Sequence, residues 1–398
     1  MLTKRCCSGD ADVIETIAMA DTRTASLIEH LSVIEDPRVN RRRLHTLEDI
    51  LILSICAIIG GAETWVSIEE FCLSKEAWFR TFLALPNGIP SHDTFGRLFA
   101  ALDPEAFQQA FAAWIHDVTH LPDGTVVAID GKTVRRSFDR ARGTSAIHMV
   151  SAWASDVGIS LGQVATDAKS NEITAIPRLL QMLHISGCIV TIDAMGCQTA
   201  IAEDIIAKGA DYVLQVKGNQ PTLHAELEEY FIHALANDFV GVEHDVFETC
   251  ERGHGRNEMR RVWCTSDLSA FSDIKSWPKL RTIAMLESER TVNGKTSRDV
   301  RYAISSLPDA RAAQIARAMR KHWGIENGLH WVLDIAFRED DSRVHAQNAA
   351  ENFALMRHVA LNMLKAENSK KLGMKTKRLK AGWSPDYLLR VLAAGADI

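Results

Sequence analysis

The feature that most constrains this 398-residue chain is the order of its short apolar runs after Pro122-Asp-Gly124. Thr125–Ile129 reads as a buried strand ended by Asp130. His148–Ser155 and Ile159–Thr166 then pair as a hairpin around Asp156-Val-Gly158. Glu172–Leu183 has helical spacing, and Cys188–Ile192 is a strand ended by Asp193. Thr199–Lys208 is helical and Tyr212–Val216 a strand, followed by helix Pro221–Leu235 with proline in its first turn. Hairpin-linked strands run antiparallel, whereas strands joined through a helix run parallel, so this order admits few sheets.

It is the order of a ribonuclease H-like α/β fold, in which the first three strands are antiparallel and the rest parallel. Between about 240 and 307 the pattern is strand-like again: Val242–Thr249, Arg260–Cys264, Leu280–Ser288 and Asp299–Ser305, with turn signals at Gly253-His-Gly255 and Asn293-Gly294. A β-rich insertion is expected there. From Pro308 a helical stretch runs through Glu326, and further helices fill 346–366 and 384–394. Upstream, the spacing from 25 to 118 is helical, broken at Pro37, Gly60-Gly61, Pro86 and Pro90. The apolar run Ile50–Ile59 is too short to cross a bilayer and reads as a core helix. The expected division is a frayed end at 1–24, a helical domain at 25–120, the ribonuclease H-like domain at 121–345, and C-terminal helices with a basic tail at 346–398.

A net charge of −6 argues against a chain coated in nucleic acid, yet the basic residues cluster. Arg38 with Arg41-Arg42-Arg43, Arg135-Arg136 with Arg140 and Arg142, Arg252–Arg261, and Lys370–Lys380 form four islands that can make a local phosphate track. The eight cysteines have no regular framework, so reduced thiols in a cytoplasm are expected. A zinc site from Cys250, His254 and Cys264 would lack a CxxC pair and a fourth ligand. Gly131-Lys132-Thr133 resembles the end of a Walker loop, but Val126 stands where that loop needs glycine. No Gly-x-Ser-x-Gly elbow is present for a serine hydrolase.

Asp130 and Asp193 end two apolar strands that this topology makes neighbours, and Glu326 lies on a later helical stretch. Singly, each Asp reads as a turn or a cap. Together they suit phosphodiester chemistry, where two Mg²⁺ ions roughly 3.5–4 Å apart stabilise the attacking and leaving oxygens. Mg²⁺ is a hard ion that takes carboxylate and water oxygens, with Mn²⁺ able to substitute. His322, Glu326, His330 and Asp334 recur every fourth residue. On an α-helix each such step drifts by about 40°, so adjacent members can meet but all four cannot. Zinc on His322, Glu326 and His330 is an alternative, as is a polar face with Trp323, Leu329 and Val332 packed inside.

Long motifs then carry a resemblance. Asp130-Gly-Lys-Thr-Val-Arg-Arg-Ser137, Lys169-Ser-Asn-Glu-Ile173, Val190-Thr-Ile-Asp-Ala194 with Gln198, and Val216-Lys-Gly-Asn-Gln-Pro221 come in order. His254-Gly-Arg256, His322-Trp-Gly-Ile-Glu-Asn-Gly-Leu-His-Trp331, Leu333-Asp334 and Glu339-Asp340 follow, with Asp36-Pro-Arg38 and Pro90-Ser-His-Asp-Thr-Phe95 upstream. From about residue 25 to 366 the chain resembles the DDE transposases of the ISAs group of bacterial insertion sequences, which includes the H-repeat-associated proteins. The resemblance implies a catalytic, metal-binding triad of Asp130, Asp193 and Glu326 using Mg²⁺. The wider superfamily's tyrosine, arginine and lysine around the glutamate fall here on Met319, His322 and Leu333. Phosphate handling therefore passes to candidates such as Lys217, Arg320, Lys321 and His322.

The expected partners are double-stranded DNA, as terminal inverted repeats and target, and a second copy of the chain on DNA, in a cytoplasmic protein that meets the nucleoid and no membrane. Arg41, Arg42 and Arg43 are candidates for end recognition, and His254 and Arg256 for holding DNA near the cut. Lys132, Arg135 and Arg136 follow Asp130 closely enough to reach the scissile strand. Trp263 and Trp323 read as core residues, with stacking on an unpaired base as the other use. Rival readings are a nuclease of the same fold without strand transfer, a catalytically silent DNA-binding relic, and an RNA-processing enzyme.

Overall fold

The computed structural model describes residues 27–138, 143, 145–166, 172–253, 255–271 and 276–395. The expected frayed end at 1–24, together with Arg140, Arg142 and His254, lies outside the described residues.

Helix α1 (27–32) precedes α2 (Leu47–Ile59), where the Thr46 hydroxyl accepts the Asp49 N–H at 3.0 Å and so starts the helix. Every residue from Asp49 to Ile59 is buried, so the apolar run Ile50–Ile59 is a core helix. Helices α3 (Trp65–Ser74), α4 (Glu76–Phe79), α5 (His92–Ala101) and α6 (Pro104–Val118) complete the N-terminal helical region. Asp103 caps α6 ahead of Pro104, which supplies the fixed φ of a first turn and lacks only an N–H that would have had no helical partner.

The sheet order is β3-β2-β1-β4-β5-β9-β8-β7-β6. β1 (Val126–Thr133), β2 (His148–Ala154) and β3 (Ile159–Thr166) are antiparallel, while β4 (Ile189–Ile192) and β5 (Asp211–Val216) run parallel to β1. This is the ribonuclease H-like mixed sheet. Its crossings use α7 (Glu172–Met182) and α8 (Thr199–Ala207), and α9 (Pro221–Ala236) leads into the insertion. The inserted strands β6 (Asp245–Gly253), β7 (Arg256–Thr265), β8 (Thr282–Val292) and β9 (Lys295–Ser305) do not form a separate sheet. β9 pairs antiparallel with β5, and the meander extends the main sheet. These strands also run further than their apolar cores suggested, because ladder pairing continues through charged residues out to Gly253↔Arg256 and Val292↔Lys295.

While the outer part of the inserted meander is exposed, both faces of the central strands are covered. α10 (Ala312–His322) lies on one, where Ile315, Ala318 and Met319 pack on Val126, Ile189, Val213 and Val262. The main core fills the other face and is continuous with the N-terminal helices. α12 (Ala349–Ala366), buried on almost all sides, packs against α2, α5 and β3 and joins these parts. α13 (Met374–Trp383) and α14 (Pro385–Ala394) close the chain. α13 falls in the basic island Lys370–Lys380, where no helix was expected. Two of that island's cations are internal: the Lys377 ammonium donates to Leu364 O at 2.8 Å, and Arg378 donates to Ile58 O at 2.8 Å and to Ala336 O. They cap helix ends rather than face solvent. Among the described residues, no helix is long and apolar enough to cross a membrane.

Candidate metal centre

β1 and β4 pair in parallel through Ile129↔Ile192, so the next residue on each strand, Asp130 and Asp193, stands at neighbouring strand ends. Alternation along β1 sends Asp130 and Lys132 to the α10 side and Gly131 to the other. There Gly131 has a tight neighbour: a Cβ on it would lie 2.2 Å from Glu172 Oε1 and 2.5 Å from His148 Nε2. Those two side chains form a buried pair at 2.6 Å. The glycine after Asp130 is therefore a packing requirement of the strand end.

Glu326 arrives from the far side of the insertion. The expected single helix is instead three pieces: α10 ends at His322, residues Glu326–His330 form a π-turn, and α11 (Trp331–Phe337) follows. The Trp331 N–H donates to Glu326 O, the i→i+5 bond of that wider turn. A π-turn rotates less per residue than an α-turn, which offsets the drift of four-residue steps. Glu326 and His330 thereby face Asp130 together. The ligand atoms of Asp130, Glu326 and His330 all lie within 4.8 Å of one another. His330 Nδ1 is 3.6 Å from Asp130 Oδ2 and 3.7 Å from Glu326 Oε2, too far for good hydrogen bonds and close enough to surround an ion.

Asp193 is outside that tight group. Its Oδ1 accepts the Gly196 N–H at 3.3 Å, and His322 stands nearby, with Nδ1 3.2 Å from the Thr191 hydroxyl. His322 is not in the group of ligand atoms within 4.8 Å, which joins Glu326 and His330 to Asp130, so among the described residues the zinc trio of the sequence is not assembled. Neither is a zinc site on the insertion: Cys250 pairs with Met259 in the ladder and Cys264 with Asp245, well apart along β6 and β7.

The electrostatics suit a cation. Burial pushes the Asp130 carboxyl up to about 6, His330 opposes the rise, and Glu326 and Asp193 add to it. Glu326 is held below the usual carboxylate range by His330, against some burial. His322 is pushed down by burial, with Asp193 working the other way. Two carboxylates and the buried His330 imidazole held this close, with Nδ1 toward both acids and Nε2 without a hydrogen-bond partner among the described residues, form a donor set that fits a divalent metal ion.

The chain matches the family described as "Transposase DDE domain" over residues 121–363, and a family described as associated with it over residues 28–115. The chain belongs to the DDE transposase family. Among similar DDE transposase relatives, "Putative transposase YncI" of Escherichia coli O157:H7 is 42% identical over 94% of this chain and 96% of its own length. "H repeat-associated putative transposase YhhI" of Escherichia coli K12 is 42% identical over 92% of this chain and 97% of its own. A cryo-EM structure of the piggyBac transposase synaptic complex with hairpin DNA aligns over 95% of this chain and 81% of that one. Its TM-score of 0.42 at 12% identity is too loose a likeness to argue from. DDE transposase domains depend on metal ions, and the Asp130–Glu326–His330 cluster is a possible site of that kind.

The remaining candidate residues are placed variously. Lys132 is mostly buried, its ammonium 2.6 Å from Asp334 Oδ1, 2.8 Å from Glu339 Oε2 and 3.4 Å from Asp340 Oδ1. Burial works against its charge, but Glu339 and Asp334 hold it above the ordinary lysine range. Arg135, 80% exposed, touches Asp340 at 3.2 Å, and Arg136 touches Asp341 at 3.3 Å. Lys217 is exposed at the end of β5, on the strand beside β4. Lys321 pairs with Asp156 at 3.3 Å, and Arg320 with Glu251 of the insertion at 2.8 Å. Arg256 is exposed at the β6–β7 hairpin tip, 3.9 Å from Glu258. Arg41 is exposed on a short 3-10 turn with Arg42, while Arg43 donates to Arg38 O and Asp36 O and braces that turn.

Trp323 is not a core residue: it is 51% exposed, with the Arg301 guanidinium 5.7 Å from its ring centre. Trp263 does pack against the core. The residue that sequence reasoning underused is His330, whose signal was the four-residue step from Glu326. The acids around Lys132 had no local signal, since they lie about two hundred residues away.

Proposed function

We propose that the protein is a DNA transposase that binds the inverted ends of its own element, hydrolyses a phosphodiester there and joins the freed 3′ end to target DNA, its 3′-hydroxyl attacking a target phosphodiester and displacing that strand's own 3′ oxygen. The observation that carries the reading is the convergence of Asp130, Glu326 and His330 within 4.8 Å, beside Asp193 on the adjoining strand end. Asp130, Asp193 and Glu326 would hold Mg²⁺, with Mn²⁺ able to replace it. Bound there, a divalent ion supplies Lewis-acid stabilisation of a phosphodiester oxygen and lowers the pKa of an attacking water.

The chain's own part is placement. Asp130 and Asp193 sit on the rigid central strands, where small displacements are resisted. Glu326 brings its carboxylate in on the π-turn. His330, buried against both acids, holds them in register, and His322 fixes the floor beside Asp193 through Thr191.

DNA would lie across these strand ends, with Arg135, Arg136 and Lys217 near the cut, Lys321 further back beside the start of β1 where it pairs with Asp156, and Arg256 on the insertion. The helical region 25–120, through Arg41, Arg42 and Arg43, would grip the element end, and 121–345 would carry the chemistry with 346–398 packed behind. A transposase must bring two ends together, so a homodimer on DNA in the cytoplasm is the working assembly.

The deciding experiment is a strand-transfer assay with labelled element-end DNA, a target plasmid and Mg²⁺. Joined products support the proposal. Cleaved ends without joining would make the protein a nuclease of the same fold, and cleavage of RNA in place of DNA would make it an RNA-processing enzyme.

A further inference from the structure

We propose that Lys132 is a positioning residue, a clamp that sets the register of the Glu326-bearing helix against the Asp130-bearing strand, and not a DNA contact. The inference rests on the metal-dependent reading of the site above. Two residues along a strand advance about 6.6 Å, and four residues along an α-helix advance about 6 Å. Asp130 and Lys132 are one such step on β1, and His330 and Asp334 one such step on the opposing helix. The two steps meet rung to rung: Asp130 lies beside His330 at 3.6 Å, and Lys132 beside Asp334 at 2.6 Å. A slip of the helix along the strand would break both rungs together.

The clamp is anchored behind. Glu339 is buried and accepts from Lys132 at 2.8 Å. Its other oxygen lies 3.6 Å from Nη1 of Arg357, a buried cation on α12 stacked over Phe353. Asp340 adds Arg135 at its outer edge. Strand, helix and α12 are thus tied through one ammonium. With three carboxylates within 3.4 Å, that ammonium has little left to offer a phosphate. Without it, those carboxylates would face one another in a poorly solvated space, and the helix would have to move to relieve them.

Charge makes the test sharp. If Lys132 acted on a nearby cation only through its field, removing it would strengthen cation binding, because like charges repel. A clamp predicts the opposite sign. The experiment measures Mn²⁺ affinity by electron paramagnetic resonance, and DNA affinity against salt without divalent ions, for full-length wild type, Lys132→Met and the pair variant Lys132→Met/Asp334→Asn. The pair variant removes one charge of each sign, so the field effect cancels and the strain of an unpaired carboxylate is reduced. It decides the question if the single variant does not fold.

The expected result is Mn²⁺ affinity about tenfold weaker in both variants, with DNA affinity and salt slope those of wild type. Mn²⁺ affinity unchanged or tighter overturns the clamp. So does weaker DNA binding with a salt slope reduced by about one, the mark of a lost phosphate contact. A wild type that binds no Mn²⁺ would instead overturn the metal reading itself.

Discussion

Replacing Asp130 with Asn should stabilise the protein when no divalent ion is present. The Asp130 carboxyl has its pKa moved from 3.8 to about 6, first by burial and then by Glu326 and Asp193. The folded chain therefore holds this proton more tightly than the unfolded chain, and between those pH values stability falls as pH rises. Above about pH 6 the penalty is fully present. At about 1.4 kcal/mol per pH unit it reaches up to about 3 kcal/mol, which partial exposure of the side chain reduces to roughly 1–2 kcal/mol. Asparagine keeps the shape and sheds the charge, so Asp130→Asn should melt a few degrees above wild type at pH 8 in EDTA. The gap should shrink as the pH is lowered through 6, where wild type becomes neutral at this position as well. Mn²⁺ should then raise the melting temperature of wild type and leave the variant unmoved. Differential scanning calorimetry at pH 5, 6, 7 and 8 reads all of this. A variant no more stable than wild type at pH 8, or a gap independent of pH, would refute the electrostatic account of the site.

Three further outcomes follow from the packing and the surface charges. Gly328→Ala places a Cβ 2.7 Å from the ring of Trp153, which is buried; the π-turn must shift, with a loss of about 1–3 kcal/mol in urea unfolding and weaker Mn²⁺ binding. Equal stability and affinity would show that the turn has room to spare. Arg378→Met leaves the carbonyls of Ile58 and Ala336 without their buried donor and should destabilise the fold by about 3 kcal/mol, measured by urea denaturation, because α13 no longer ties α2 to α11. Arg135→Ala should weaken binding to unrelated DNA sequences alike and lower the salt slope by about one; a loss confined to one sequence in filter binding would exclude a pure phosphate role.

The parts of the fold legible in the sequence were those governed by local pattern. Strand order from Thr125 to Val216 disclosed the ribonuclease H-like sheet because short continuous apolar runs, buried on both faces, and the helices between them are local signals, and parallel pairing then made Asp130 and Asp193 neighbours. Local signals also found the insertion, but not its attachment. The pairing of β9 with β5 is a long-range choice made by Val213, Leu214 and their partners. The helical spacing through Glu326 was read as one helix, since a π-turn differs from an α-turn by a single shifted hydrogen bond that the side-chain sequence does not announce. Charge was the least legible quantity. Lys132, Lys377 and Arg378 look alike on paper to Arg135, yet the first three are sunk against carboxylates or carbonyls contributed by distant segments. Burial of a cation depends on what the rest of the chain brings to it.

The central claim is that Asp193, though outside the tight Asp130–Glu326–His330 group, completes the catalytic site. The direct test is cleavage of labelled element-end DNA in Mg²⁺ by wild type and Asp193→Asn, with DNA binding measured alongside. The account predicts DNA affinity near that of wild type and cleavage lower by at least about a hundredfold, the scale of losing one element of transition-state charge stabilisation. Asp193→Asn protein that cuts as well as wild type would contradict it.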